Sequence, residues 1–317
     1  MASLYLSHNP NPNLLCFTSK ASPWLRFHQN VLIRPKTNQF RVPVCRVSPK
    51  LVFPNLQADD FRHPLDREIS RRFRALSDPT ESEEALKAHF LEEERLVEND
   101  DTFILVGPSQ HSNLYELLAE TSEILNVGIP LLYVRTNPIP CARTVPLNDK
   151  PFVVVHTGLL DLLTVQELQV VFAHELAHLK CDHYLVLKVM DLLVQIVKFV
   201  PTWLIFLSPL VHFFRWGQAA ELSCDRASLL VAQDPKVVIS AIMKLTGGCS
   251  LIDEPDVDAY LAQAHAYVGA SPSSPTGKHR DSQATRLAHP VPKVRAYEID
   301  LWSRSKEYAM LLSSATD

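Results

Sequence analysis

Val170-Val171-Phe172-Ala173-His174-Glu175-Leu176-Ala177-His178-Leu179 decides how this chain is read. An α-helix turns about 100° per residue, so His174 and His178 stand about 40° apart around the axis and about 6 Å apart along it. Two imidazoles on one face can reach one ion. Glu175 flanks the same face, close enough to take a proton from a water on that ion without being a ligand itself. The neighbours are apolar almost all round, which predicts a buried helix. Two histidines and a carboxylate buried together cost several kcal/mol unless they are paired or hold a metal. Core histidines satisfied by hydrogen bonds are the ordinary alternative, and the company of Glu175 argues against it.

Working outward, Thr164 with Glu167 three residues on forms a capping box that opens this helix. A catalytic zinc takes three protein ligands and leaves one position for water. The third is expected from Ala219-Ala220-Glu221-Leu222-Ser223-Cys224-Asp225, where two alanines let a second helix approach closely. Glu221 would ligate. Asp225, one turn on, could accept the free ring N–H of a ligating histidine and fix its tautomer. A solvated acidic face is the alternative, opposed by the apolar Leu222, Leu229, Leu230 and Val231. Cys181 and His183, near the end of the first helix, read as a polar turn rather than as further ligands.

Strands are expected at Phe103 to Val106, Leu131 to Arg135, Ala142 to Leu147 and Phe152 to His156. Helices are expected over Glu81 to Asp100, Ser109 to Val127, Trp216 to Ala232, from Asp234-Pro235 to Gly247-Gly248, and from Pro292 through Trp302. Residues 271 to 285, rich in Ser, Pro and Gly, read as a loop. Tyr184 to Phe214 is unusually apolar but is broken by Pro201 and Pro209, with Lys188, Asp191 and Lys198 before them. A spanning helix, a buried helix pair and a hairpin dipping into a lipid surface all fit it. The hairpin fits best, because the uninterrupted runs are shorter than about 20 residues.

Residues 1 to 58 contain no Asp or Glu but seven Lys and Arg, so the net charge of −4 leaves about −11 on the rest. An acidic body without a basic stripe argues against nucleic acid as a partner. The first 50 residues are basic and rich in Ser, Asn and Pro, as in a transit peptide, and chloroplast import with cleavage near Cys45 is the expectation. Mitochondrial import ranks second. Cys141, Cys181, Cys224 and Cys249 show no paired spacing, which fits free thiols in a reducing compartment. With only eight glycines, no dinucleotide or phosphate-binding signature is present.

Taken together, His174-Glu175-Leu176-Ala177-His178, Glu221 with Asp225, and Ala288-His289-Pro290 with Arg295 resemble the peptidase family of the CAAX prenyl proteases and the heat-shock protease HtpX, family M48. Asp60-Phe61-Arg62-His63-Pro64-Leu65-Asp66 and Leu179-Lys180-Cys181-Asp182-His183 most resemble plastid and cyanobacterial members. Two departures stand out: Pro140-Cys141-Ala142 where the family often has Pro-Asn-Ala, and no Arg within three residues before Glu221.

The resemblance implies an α+β, mainly helical, gluzincin-type fold with a small β-sheet beside the active-site helix. It implies one zinc per chain held by His174, His178 and Glu221, with Glu175 as general base and Asp225 behind the ligands. His289 would steady the oxyanion, with Arg295 near it. Expected segments are a transit peptide (1–50), an N-terminal helical region (51–112), a metallopeptidase domain (113–307) and a tail (308–317). The expected activity is zinc-dependent endopeptidase cleavage of plastid proteins at a lipid or membrane surface, on plastoglobules or thylakoids, with peripheral attachment. Peptide or protein substrates are the implied partners. The alternative class is a proteolytically weak or inactive zinc-containing scaffold on plastid lipid surfaces, and the intact Glu175 argues against it.

Overall fold

Phe152–His156 is a run of five buried residues, the pattern of a strand covered on both faces. It forms β4 of a sheet that also contains β1 (Phe103–Val106), β2 (Leu131–Arg135) and β3 (Ala142–Val145). The strand order is β1-β2-β4-β3. The β2/β4 pair is parallel, and both outer pairs are antiparallel. The computed structural model describes residues 51–76, 102–145, 151–183, 210–247, 256–284 and 290–315. The expected transit segment, the helix over Glu81 to Asp100, and His289 lie outside the described residues.

The helices are α1 (Ala58–Phe61), α2 (Pro64–Leu76), α3 (Ser112–Ile124), α4 (Thr157–Leu162), α5 (Val165–Lys180), α6 (Leu210–Ala232), α7 (Pro235–Gly247), α8 (Val257–Val268), α9 (Pro275–Ala284), α10 (Pro292–Ser303) and α11 (Lys306–Ser314). The architecture is therefore mainly helical with one small mixed sheet. Thr164 caps α5 through the expected box: its Oγ1 accepts from the Glu167 N–H at 3.3 Å, and its own N–H donates to Glu167 Oε2 at 2.8 Å.

Helix α5 packs most extensively on α6, and both present small residues at the seam. Ala173, Ala177, Ala219, Ala220, Cys224 and Ala227 are all buried there. The Ser228 hydroxyl donates across it to the Val170 carbonyl at 2.9 Å. One core runs from Phe53 and Phe61 through Phe172 and Leu176 to Trp302 and Tyr308, so α1 and both C-terminal helices share it. Burying a side chain such as Phe172 contributes roughly 1.5–3 kcal/mol.

Two segments differ from expectation. Residues 271 to 285 are not a loop, because α9 occupies most of them. Ser274 caps it by accepting from the Gly277 N–H, Pro275 starts its first turn, and Arg280 donates to the carbonyls of Val268 and Ala270. A Cβ on Gly277 would lie 2.0 Å from the Ser271 carbonyl oxygen, so only glycine fits there. The C-terminal end, expected as a tail from 308, carries α11, capped by Ser305 and anchored by buried Tyr308. Among the described residues no helix is long and apolar enough to cross a membrane. Residues 184–209, most of the apolar stretch, lie outside them.

Candidate metal centre

Helix α5 delivers His174, Glu175 and His178 to one end of the seam, and α6 brings Glu221 and Asp225 to face them. His174 Nε2 lies 3.3 Å from Glu221 Oε2, and His178 Nε2 lies 3.5 Å from Glu221 Oε1. The two rings thus address one carboxylate, each through Nε2. Behind them the Nδ1 atoms are occupied: His174 Nδ1 by Asp225 Oδ1 at 3.1 Å, and His178 Nδ1 by His183 Nδ1 at 3.3 Å. Arg295 on α10 grips Asp225 with two hydrogen bonds, Nε to Oδ2 at 2.7 Å and Nη2 to Oδ1 at 2.6 Å. A bidentate fork of this kind fixes the carboxylate plane as well as its charge.

Glu175 points to the sheet. The Thr144 hydroxyl on edge strand β3 donates to Glu175 Oε2 at 2.7 Å and approaches its carbonyl oxygen at 3.1 Å. Burial raises the Glu175 carboxyl above its ordinary value, and His174 and Thr144 pull it back only in part. Burial also pushes Asp225 up, but the Arg295 charge prevails and holds it below its ordinary value. For His174 burial opposes the charge, yet Asp225 and Glu221 raise the imidazole to about 9.

The donor set fits zinc: two imidazole nitrogens and a carboxylate, with each imidazole oriented through its other nitrogen. His174, His178 and Cys224 also bring ligand atoms within 4.8 Å of one another. Glu221, by contrast, faces both Nε2 atoms, at 3.3 and 3.5 Å. Cys224 lies on the other side of the rings, its Sγ 3.6 Å from His183 Nδ1. Burial raises that thiol well above its ordinary range, so it stays protonated.

The structure brings together five of the seven residues expected at the site, with Arg295 joined to them through Asp225. Sequence reading missed Thr144, His183 and Asp66. His183 lies in the turn that ends α5, as expected, but it is fully buried, and its Nε2 lies 3.0 Å from Asp66 Oδ2. Its five-residue spacing from His178 was the available signal. Cys181 and Cys224 are free and buried, as expected of thiols, whereas Cys141, also expected as a free thiol, is disulfide-bonded.

Residues 141–303 match the model of Peptidase family M48. The chain is 50% identical over 280 residues to the plastoglobule-localized metallopeptidase 48, chloroplastic, of Arabidopsis thaliana, covering 87% of this chain and 81% of that one. It is 25% identical over 170 residues to protease HtpX homolog 2 of Methanosarcina acetivorans, covering 45% of this chain and 58% of that one. It is also 25% identical over 200 residues to a protease HtpX homolog of Moorella thermoacetica, covering 51% and 62%. No solved structure matches. Helix α5 with its two histidines and α6 with Glu221 and Asp225 both fall inside the matched stretch, and the chain belongs to peptidase family M48 as a metalloprotease.

Proposed function

We propose that this metalloprotease is a zinc-dependent endopeptidase of plastid proteins in which His174, His178 and Glu221 hold one zinc ion. The observation that carries the reading is the convergence of two Nε2 atoms on one carboxylate, at 3.3 and 3.5 Å, with Glu175 beside them. A bound zinc supplies Lewis acidity and brings a water's pKa towards neutrality. Glu175 takes the proton of the attacking water and passes it to the leaving amine. Its raised pKa suits both halves of that task. Thr144 holds the carboxylate in place between them.

Strand β3 ends the sheet on the side of α5. An extended substrate adding to that edge by main-chain hydrogen bonds would lie across the centre. His289 is assigned to the oxyanion by the family resemblance alone. The chloroplast reading rests on the acid-free N-terminus and on the chloroplastic, plastoglobule-localized relative. Peripheral attachment to a lipid surface through the apolar stretch 184–214 accords with both.

The test is metal content together with casein cleavage by the purified chain. One zinc per chain, with cleavage abolished by a chelator and restored by added zinc, supports the reading. Full zinc retention in Glu221→Ala contradicts the choice of third ligand.

A further inference from the structure

Helix α5 ends in a Schellman motif. Cys181 is the C-cap, and Asp182 takes the left-handed conformation with φ 52°. The His183 N–H donates back to the His178 carbonyl at 3.1 Å, and the Asp182 N–H to the Leu179 carbonyl at 3.1 Å. This motif brings the residue two past the cap against the third residue from the helix end. Here those two are His183 and His178. A helix stop thus presses a second imidazole onto the back of a candidate ligand.

Behind His183 stands Asp66 of α2, fully buried and surrounded by donors. The Trp216 indole N–H donates to Oδ1 at 3.1 Å and the Ser70 hydroxyl to the same oxygen at 2.8 Å. Ser223 accepts from the His63 N–H at 3.0 Å and donates its own proton to Oδ2 at 2.7 Å. Burial pushes the Asp66 carboxyl up, but His183, Ser223 and Arg62 outweigh it and hold the group well below its ordinary value. An anion that only accepts requires the His183 Nε2 to carry its ring proton. In the neutral ring His183 Nδ1 is then a lone pair, and it faces His178 Nδ1 at 3.3 Å and the Cys224 thiol at 3.6 Å. A proton on His178 Nδ1 makes the ring-to-ring contact a hydrogen bond and leaves the Nε2 lone pair towards Glu221.

We propose that Asp66, acting through His183, sets the ring tautomer of His178 and so holds its Nε2 ready for the metal. Both are positioning residues. Asp66 lies outside the family-matched stretch 141–303, so the N-terminal helix α2 is a working part of the centre. The proposal rests on the reading of His178 as a ligand.

Asp66→Asn is the discriminating change. Its carbonyl must face Trp216 and Ser70, so its amide donates to His183 Nε2. The His183 proton then moves to Nδ1, and His178 is left with its proton on Nε2, where the metal should bind. The experiment measures zinc affinity of the full chain by competition with a chromophoric chelator, with thermal melting as the control for folding. Asp66→Asn should bind zinc about 10- to 100-fold more weakly while still melting cooperatively as a folded protein. His183→Gln, which keeps one donor for Asp66 and one acceptor for His178, should bind near wild type, whereas His183→Phe should not.

A second measurement needs no variant: ring 15N shifts of His178 in metal-free wild-type protein at pH 8 should report the proton on Nδ1. Wild-type zinc affinity in folded Asp66→Asn, or a His178 proton on Nε2, overturns the proposal. Wild-type protein that takes up no zinc would instead refute the ligand reading, and the 15N shifts would still decide the tautomer.

Discussion

Thr144 Oγ1 lies 2.7 Å from Glu175 Oε2, so the edge strand and the candidate base are joined by one hydrogen bond. The hydroxyl serves the carboxylate proposed to act first as a base and then as an acid. Thr144→Val keeps the shape of the strand and removes the donor. A hydrogen bond to a charged group contributes about 1.5–3 kcal/mol, so kcat should fall roughly tenfold or more. KM and zinc content should stay near wild type. Steady-state kinetics on a quenched peptide checks this, and an unchanged kcat would show that Thr144 serves the strand alone.

Arg295 neutralises Asp225 in a dry setting, with both side chains largely buried. Arg295→Met keeps the volume but strands an anion beside His174. Removing one partner of a buried pair costs about 3–5 kcal/mol. Urea unfolding should register a loss of that size, together with weaker zinc binding. A loss within experimental error would mean that another group neutralises Asp225.

Much of this arrangement is legible in the sequence, because local rules act on local spacings. The two histidines four apart, the Thr164–Glu167 box and the four strands each follow from periodicity or capping, and the structure places them as read. Glu221 and Asp225 needed one tertiary assumption, that alanines mark a close helix seam, and Ala219 and Ala220 are buried in it. The rest was hidden for a physical reason. Asp66 meets His183 across 117 positions of sequence, and no spacing encodes such a contact. Residues 271 to 285 misled because their composition is that of a loop. The Ser274-Pro275 pair that starts α9 is a cap signal outweighed by the surrounding serines and prolines.

The capping box carries a pH dependence of its own. Burial pushes Glu167 up, but Lys244, Ser240 and the Thr164 N–H hold it below its ordinary value of 4.5. A carboxyl depressed in the folded state adds stability that is fully present above the unfolded value and is lost as pH falls through the folded one. Wild type should therefore be more stable than Glu167→Gln at pH 7, and the gap should close below about pH 4.5. Chemical unfolding from pH 7 down to 3 reads it. A gap that stays constant would remove Glu167 as the source.

The peptidase rate of Glu175→Gln in its zinc-loaded form tests the proposed mechanism most directly. Glutamine keeps the size of the side chain and an acceptor for Thr144, but it cannot take a proton. None of the proposed ligands is altered, so the variant should still carry one zinc per chain. Its kcat should fall by about two or more orders of magnitude. Near-wild-type turnover with zinc in place would contradict the assignment of Glu175 as the base, and with it the mechanism built on this helix.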